Sequence, residues 1–407
     1  MRTVLHSDLN NFYASVECVY APELRKVPLA VCGDPEARHG IVLAKNELAK
    51  AAGVRTGETI WQARQKCPGL KTVPPDFKKY MRFARMMRGI YAEYTDFIEP
   101  FGLDEAWLDV SGNHKSGEEI ADELRRRARE ELGLTLSVGV SFNKIFAKLG
   151  SDMKKPDATT VITPENFREK VWPLPVEELL FVGPATKRKL RLRGIYTIGD
   201  LAKCDVKLLR GALGKNGEMI WNFARGKDCS PVMSEGEASM VKSVGNSTTA
   251  PRDLENDRDV YLVLLVLSES VAERLREQDL RGDVVSVSVR DCELNTHSFQ
   301  RKIQRPTALA EEIAGYARDL FRERWYWERP IRSLGVCVSG LESMAEGVQL
   351  SMFDDNARRY HLEEAVGDLR RRFGHGIISR ACLLTDGRIN AINPRDDHLI
   401  HPVGWRG

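Results

Sequence analysis

Over its first 162 positions the chain keeps switching between an apolar period of two and one near 3.6, the marks of strand and helix. Strands are expected to end near Asp8 and to cover 28–32, 41–44, an acid-bearing run at 101–110, 134–140 and 159–162. Helices are expected over 12–19, from the third strand up to Ala52, and over 80–94, 117–132 and 143–153. Breakers fall between them: Gly53 and Gly57 end one helix, Pro68 and the Pro74-Pro75 pair mark a boundary, and Pro156 stops the last helix. Such βα alternation argues for an α/β or α+β first domain.

From 164 to 226 the pattern changes to short helices. Within it, Phe181-Val182-Gly183-Pro184 turns into the basic helix Lys187-Arg188-Lys189-Leu190-Arg191 and then Gly194-Ile195. An apolar residue, a Gly-Pro turn, a basic helix and Gly-Ile have the chemistry of a helix-hairpin-helix. Backbone N–H groups at such a turn attract anions, and lysines beside it add charge for a DNA backbone. An ordinary tight αα-hairpin is the competing reading. Residues 228–241 are polar and read as a linker. Beyond them come a strand at 242–249, a helix at 260–278, strands at 284–290 and 296–303, a helix at 309–324 and a strand at 331–338. This β-α-β-β-α-β order suits a small split βαβ sandwich. The tail holds one basic helix, 362–372, to which the sequence attaches no role.

The chemistry concentrates at two strand ends. Asp104 and Glu105 stand together inside Phe101-Gly102-Leu103-Asp104-Glu105-Ala106-Trp107-Leu108-Asp109-Val110, and Asp8 follows Val4-Leu5-His6-Ser7. Carboxylates among strand-forming apolar residues are rarely buried unless paired or holding a cation. Three of them suit Mg²⁺, which takes one or two carboxylates and completes its shell with water and phosphates. The alternative is that Asp104 and Glu105 are turn residues and Asp8 caps a helix.

Composition narrows the classes. At 407 residues, about three domains are expected. The longest apolar run, 260–267, is too short to span a bilayer, and the N-terminus turns polar too early for a signal peptide. Eight scattered cysteines without a Cys-x-x-Cys pair favour reduced thiols in a cytosolic protein. Net charge is only +3, but basic residues gather at 78–88, 187–193 and 318–332. Each cluster is either a phosphate-binding patch or a solvated helix face.

Taken in order, these motifs resemble the Y-family translesion DNA polymerases of the DinB, or DNA polymerase IV, type. Ser7-Asp8-Leu9-Asn10-Asn11-Phe12-Tyr13-Ala14-Ser15-Val16-Glu17 is similar to the family's opening metal motif, and Gly102-Leu103-Asp104-Glu105-Ala106-Trp107 to its second. Ser137 to Lys148 and Ser151-Asp152-Met153-Lys154-Lys155-Pro156 are similar to the segment that follows. The resemblance covers about the first 350 residues. It implies an α+β right-hand polymerase: a palm from 1–10 and 75–164, small fingers from 11–74, a helix-hairpin-helix thumb from 165–230, a linker at 231–241 and a split βαβ little finger from 242–348.

It also implies roles. Asp8, Asp104 and Glu105, with the Leu9 carbonyl, would hold two Mg²⁺ ions, one activating a primer 3′-hydroxyl and one binding the triphosphate. Tyr13 occupies the steric-gate position under the deoxyribose; Phe12 beside it joins the nucleotide pocket or faces the core. Lys155 matches a triphosphate-binding lysine. Asn46-Glu47-Leu48-Ala49-Lys50 departs from the family's Asn-Tyr-Glu-Ala-Arg, so Glu47 replaces a triphosphate-binding Tyr and Lys50 an Arg. Lys50 would then meet phosphate as a point charge rather than a fork. Asn10 stands where the family often has a further acid and is not expected to ligate. Gly183, Lys187, Lys189 and Arg191 would grip the DNA backbone.

After the little finger, Gln349-Leu350-Ser351-Met352-Phe353 resembles a bacterial sliding-clamp-binding peptide, with Gln349, Leu350, Met352 and Phe353 as its contacts. Expected partners are therefore primer–template DNA, dNTPs and a sliding clamp, for a monomer of the bacterial cytoplasm associated with the nucleoid. Two rival readings remain at this point: a catalytically dead scaffold, which would be expected to lose metal acids, and another two-metal palm enzyme such as a nucleotidyl cyclase, which has no need of a hairpin thumb or clamp peptide.

Overall fold

The computed structural model describes residues 2–35, 38, 40–234, 241–346 and 356–394. They divide into two compact units, the first drawn from residues 1–35 and 40–237 and the second from 238–399.

The first unit opens with β1 (Val4–Leu9), α1 (Phe12–Tyr20), β2 (Leu29–Cys32), β3 (Val42–Lys45), α2 (Glu47–Ala51), α3 (Ile60–Lys66) and β4 (Lys71–Val73). It continues with α4 (Phe77–Ala92), β5 (Ile98–Pro100), β6 (Glu105–Asp109), α5 (Gly117–Leu132), β7 (Leu136–Ser141), α6 (Lys144–Met153) and β8 (Thr159–Ile162). The main sheet has the order β5-β6-β1-β7-β8, so β1 lies at its centre and is buried along its whole length. A smaller sheet, β3-β2-β4, forms separately.

Local chemistry sets most boundaries. Ser116 and Glu119 form a capping box at the start of α5, and Gly133 ends it at φ +69°, a left-handed conformation that costs a side chain energy. Asn143 caps α6 through the Phe146 N–H. The helix expected at 80–94 starts earlier, at Phe77, because Asp76 caps it by accepting from the Lys79 N–H. The strands β4 and β5, three residues each, are too short to leave a periodic signal.

Period-two geometry gives the main sheet two faces. Leu5, Ser7 and Leu9 face the layer of α1, α4 and α5, where Leu5 and Leu9 join Tyr80, Ile120 and Leu124 in the core and the Tyr91 hydroxyl donates to Ser7 Oγ at 2.7 Å. His6 and Asp8 face α6. That helix lies very close to the sheet. A Cβ on Gly139, which pairs with His6 on β1, would collide with the Ala147 carbonyl, and one on Gly150 would stand 3.0 Å from Gly139 Cα.

Five short helices complete the unit: α7 (Phe167–Val171), α8 (Pro184–Arg191), α9 (Ile198–Lys203), α10 (Val206–Leu213) and α11 (Lys215–Ala224). Val182, Leu190, Ile195, Leu201, Leu209 and Ile220 form their core.

The second unit runs β9 (Ser243–Leu254), α12 (Asp257–Glu277), β10 (Leu280–Asp291), β11 (Thr296–Thr307), α13 (Ala310–Arg324) and β12 (Ile331–Ser343). This is the expected split βαβ order, in an antiparallel sheet β11-β10-β12-β9 whose strands are several residues longer than their periodic stretches. The tail supplies what the sequence reading lacked. Helix α14 (Asn356–Phe373) is longer than the expected 362–372, and α15 (Gly387–Asn390) follows it. Leu383, Ile389 and Ile392 enter the core of the second unit, and Tyr360 packs against it. The tail therefore covers a side of α12 that would otherwise face water, which explains why that helix is buried nearly all round.

Among the described residues no helix is long and apolar enough to cross a membrane. The clamp-like peptide, Gln349 to Phe353, and most of the expected linker lie outside the described residues.

Candidate active site

Hydrogen-bond register brings two of the three acids face to face. β1 runs antiparallel to β6 with Asp8 opposite Glu105 and His6 opposite Trp107. Asp104 precedes β6 by one residue, and its carbonyl accepts from the Leu9 N–H at 3.0 Å. The three acids thus gather at one end of the central strand pair. Asp8 and Glu105 both reach the Lys148 amine of α6, whereas Asp104, one residue out of phase, lies near enough to Tyr13 for its charge to act on that hydroxyl.

Two lysines share the space between the carboxylates. Lys155 Nζ is 2.6 Å from Asp8 Oδ2 and 2.9 Å from Asp152. Lys148 Nζ is 2.8 Å from Glu105 Oε2, 3.3 Å from Asp152 and 3.8 Å from Asp8. Burial, then the charge of Glu105, raises Asp8 to about 6. Burial, followed by Glu105 and Asp8, raises Asp104 to about 7. Burial works against Glu105 as well, but His6 and Lys148 outweigh it and hold that carboxyl down to about 2. The result is one firmly ionised acid beside two that are reluctant to be charged together.

Among the described residues no three acids, histidines or cysteines stand close enough to enclose a metal ion. The donor chemistry nevertheless suits a hard divalent cation: three carboxylates at one strand end, all oxygen donors, of which Asp8 is 5% exposed.

Around this core lie the other expected residues. Tyr13, in the first turn of α1, is half-buried and stacks on Tyr80 at 4.3 Å between ring centroids, 9° from parallel. Burial and the neighbouring Asp104 push its hydroxyl up to about 12, so it stays neutral. Phe12 is only 3% exposed and belongs to the core, so its ring is not available to a nucleotide and only its backbone could line a pocket. Lys50 on α2 is exposed, 3.6 Å from Glu47, and Glu47 in turn accepts from Asn11 Nδ2 at 2.8 Å. Asn10 is committed elsewhere. Its Oδ1 accepts from the Asp157 N–H at 2.8 Å and its Nδ2 donates to Ser137 Oγ at 3.0 Å, which ties the Lys155 loop to β1 and β7.

Sequence reasoning missed His6, Lys148 and Asp152. The signal for His6 was available, since it stands two residues before Asp8 and so shares its face. Lys148 and Asp152 are four apart on α6.

In the hairpin, Gly183 precedes α8 and is exposed, and Lys189 is exposed. Lys187 and Arg191 both lean on Glu177, at 2.6 and 3.0 Å. Two of the four expected DNA contacts are thus held by a protein carboxylate in this structure.

Three family models match the chain: residues 7–152 match the impB/mucB/samB family, residues 241–352 that family's C-terminal domain, and residues 178–228 the DNA polymerase-iota thumb domain. A DNA polymerase IV of Acetivibrio thermocellus is 51% identical over 96% of this chain and 100% of its own length. One from Clostridium acetobutylicum is 35% identical over 94% and 98%. Among solved structures, a Y-family DNA polymerase chimera of Dbh and Dpo4 superposes with a TM-score of 0.73 at 26% identity, covering 83% of this chain and 98% of the chimera. The chain belongs to the Y-family DNA polymerases, in the DinB or DNA polymerase IV branch. It is a DNA-directed DNA polymerase of translesion synthesis and DNA repair, acting on primer–template DNA and dNTPs and dependent on divalent metal.

Proposed function

We propose that the enzyme extends primers past damaged template bases by two-metal nucleotidyl transfer at Asp8, Asp104 and Glu105, with Mg²⁺ as the ion. The observation that carries this reading is the cross-strand pairing of Asp8 with Glu105 beside Asp104, at one end of β1 and β6. When bound, the ions supply Lewis acidity toward the primer hydroxyl and neutralise the leaving pyrophosphate. The chain's own part is positioning and charge. Asp8 and Glu105 approach from adjacent strands, the Leu9 carbonyl adds an oxygen, and Lys155 and Lys50 offer ammonium groups to the triphosphate. Tyr13, held flat against Tyr80, would exclude a 2′-hydroxyl with its ring.

The reading extends to the expected organisation: palm, fingers, thumb and little finger in the ranges given above, with Gly183, Lys187, Lys189 and Arg191 meeting DNA phosphates. Lys187 and Arg191 would exchange Glu177 for phosphate on binding. Gln349, Leu350, Met352 and Phe353 would dock a sliding clamp from a segment bracketed in sequence by β12 and α14, and the protein would act as a monomer in the bacterial cytoplasm near the nucleoid.

Primer extension with Mg²⁺ and dNTPs is the direct test. Tyr13→Ala is expected to raise ribonucleotide incorporation relative to deoxyribonucleotide by at least about tenfold, a modest value for removing a steric block worth 1–2 kcal/mol or more. An unchanged ratio would return Tyr13 to the core. Replacing Leu350 and Phe353 with Ala is expected to abolish binding to a purified clamp while leaving clamp-free extension intact.

A further inference from the structure

His6 is fully buried, and its ring edge packs against Trp107 at 5.1 Å. Its Nδ1 is 2.8 Å from Ser151 Oγ on α6. Its Nε2 points at Glu105 Oε2, 3.4 Å away. Both atoms are inaccessible to water; Oε2 has the Lys148 ammonium beside it at 2.8 Å, but Nε2 has no hydrogen-bond partner. A buried ring nitrogen left in this way costs free energy, and the group it faces is the carboxylate. Closing the gap by a few tenths of an ångström satisfies it.

We propose that His6 is a positioning residue of the active site: its Nε2 holds one carboxylate oxygen of Glu105 so that the other is turned toward the cations, and Ser151 fixes the ring that does so. The inference rests on the metal reading of Asp8, Asp104 and Glu105 given above.

Three features support it. First, Lys148 also approaches Oε2 at 2.8 Å, so the protein's grip falls on one oxygen of Glu105. Second, the proton arrangement is workable. The Ser151 hydroxyl lies 2.8 Å from both His6 Nδ1 and the Lys148 carbonyl but has one proton to give. When it donates to Nδ1, the neutral ring carries its own proton on Nε2, facing Glu105. Third, the contact depends on the close approach of α6 to the sheet at Gly139 and Gly150, directly beside His6. An apolar side chain would fill the volume with no unsatisfied polar atom, so simple packing does not call for histidine. Groups that orient a ligating side chain in this way typically alter metal affinity by about 10–100-fold.

The test uses the full-length protein with a dideoxy-terminated primer–template and a matched dNTP, so that no turnover occurs. Mn²⁺ is titrated in, the free ion is counted by electron paramagnetic resonance, and melting temperature is measured alongside. His6→Leu is expected to weaken Mn²⁺ uptake by about tenfold or more. His6→Gln, which keeps a donor near the Nε2 position, is expected to recover most of that loss. Ser151→Ala is expected to weaken uptake more mildly at a nearly unchanged melting temperature. Wild-type uptake in His6→Leu overturns the inference. So does a Gln variant as poor as the Leu variant with both equally destabilised, since that pattern marks a packing role. If His6→Leu does not fold, Ser151→Ala decides: weaker uptake by a stable protein supports the role, and unchanged uptake overturns it. Absence of substrate-dependent uptake by the wild type overturns the metal reading and this inference with it, whereas normal wild-type uptake with an unchanged His6→Leu removes the inference alone.

Discussion

Each unit buries carboxylates, and the two do so by opposite means. In the second unit Glu269 on α12 meets two arginines from the tail, Arg370 at 3.0 Å and Arg380 at 2.7 Å. Close by, Glu363 of α14 pairs with Arg276 and accepts from the Ala310 N–H at 2.8 Å, which caps the start of α13. In the first unit, the cations beside Asp8, Asp104 and Glu105 are the flexible amines of Lys148 and Lys155, with the His6 ring facing Glu105, and two of the three acids remain reluctant to ionise. An arginine fork holds a carboxylate in fixed geometry; a lysine is a mobile point charge that a stronger cation can displace. The first arrangement closes a structural joint, and the second keeps a site open at a cost in stability.

The largest effect that can break this contrast is expected from Asp104→Asn. Incorporation should fall below detection in primer extension, while DNA binding in a gel shift survives. The same change should stabilise the metal-free protein at pH 8, by on the order of 2 kcal/mol in urea. The sign follows from the raised carboxyl. Asp104 takes up its proton more readily when folded, so its stabilising contribution is complete below the ordinary value of 3.8 and is lost as pH rises through about 7. Asparagine has no charge to develop. A variant less stable than wild type at pH 8 would remove the view that the acids are held open at a cost.

Glu269→Leu is the converse. Removing the shared partner takes the carboxylate from both Arg370 and Arg380 and leaves Arg370 with only the Ile378 carbonyl, and urea denaturation should show a loss of about 3 kcal/mol. Activity per folded molecule should change little, because none of these residues belongs to the candidate site. A loss of under 1 kcal/mol would show that the tail is only draped over the second unit.

Gly139→Ala should have an intermediate effect. The new methyl group collides with the Ala147 carbonyl and must lift α6. A destabilisation of about 1–3 kcal/mol is expected, together with a higher Mg²⁺ requirement, since α6 carries Lys148 and Ser151. Lost stability with an unchanged Mg²⁺ requirement would separate α6 from the site. The smallest expected effect is that of pH on metal affinity. Cations ligate ionised carboxylates, so Mg²⁺ binding should tighten by about tenfold from pH 6 to 7 as Asp8 and Asp104 lose their protons, and level off only above about pH 8. Calorimetry on the dideoxy-terminated complex reads this directly, and a flat profile would mean the acids are already ionised.

Much of the site could be read along the chain because its signals are local. A strand end, a capping residue and the adjacent pair Asp104-Glu105 need only a few neighbouring residues to be recognised. Phe12 suits the core better than Tyr13 does even from the sequence, but only packing shows that its ring is withdrawn from any pocket while Tyr13 stacks at the edge. Glu47 illustrates the same limit. Its type showed a departure from the family pattern, but only the fold showed that it engages Asn11 and Lys50.

By itself the sequence determined the order of the longer elements, the two acid-bearing strand ends, the basic hairpin and the split βαβ unit, since hydrophobic period, caps and turn residues act over a few positions. Tertiary structure alone decided which groups meet across long stretches of chain. Ser151 reaches His6 across 145 positions and Lys155 reaches Asp8 across 147, in both cases because α6 and the loop after it lie on the glycine-thinned face of β7. The tail shows the same thing in the second unit. The sequence attaches no role to its basic helix, and Arg370 and Arg380 become structural only because α12 presents the buried Glu269 for them to neutralise.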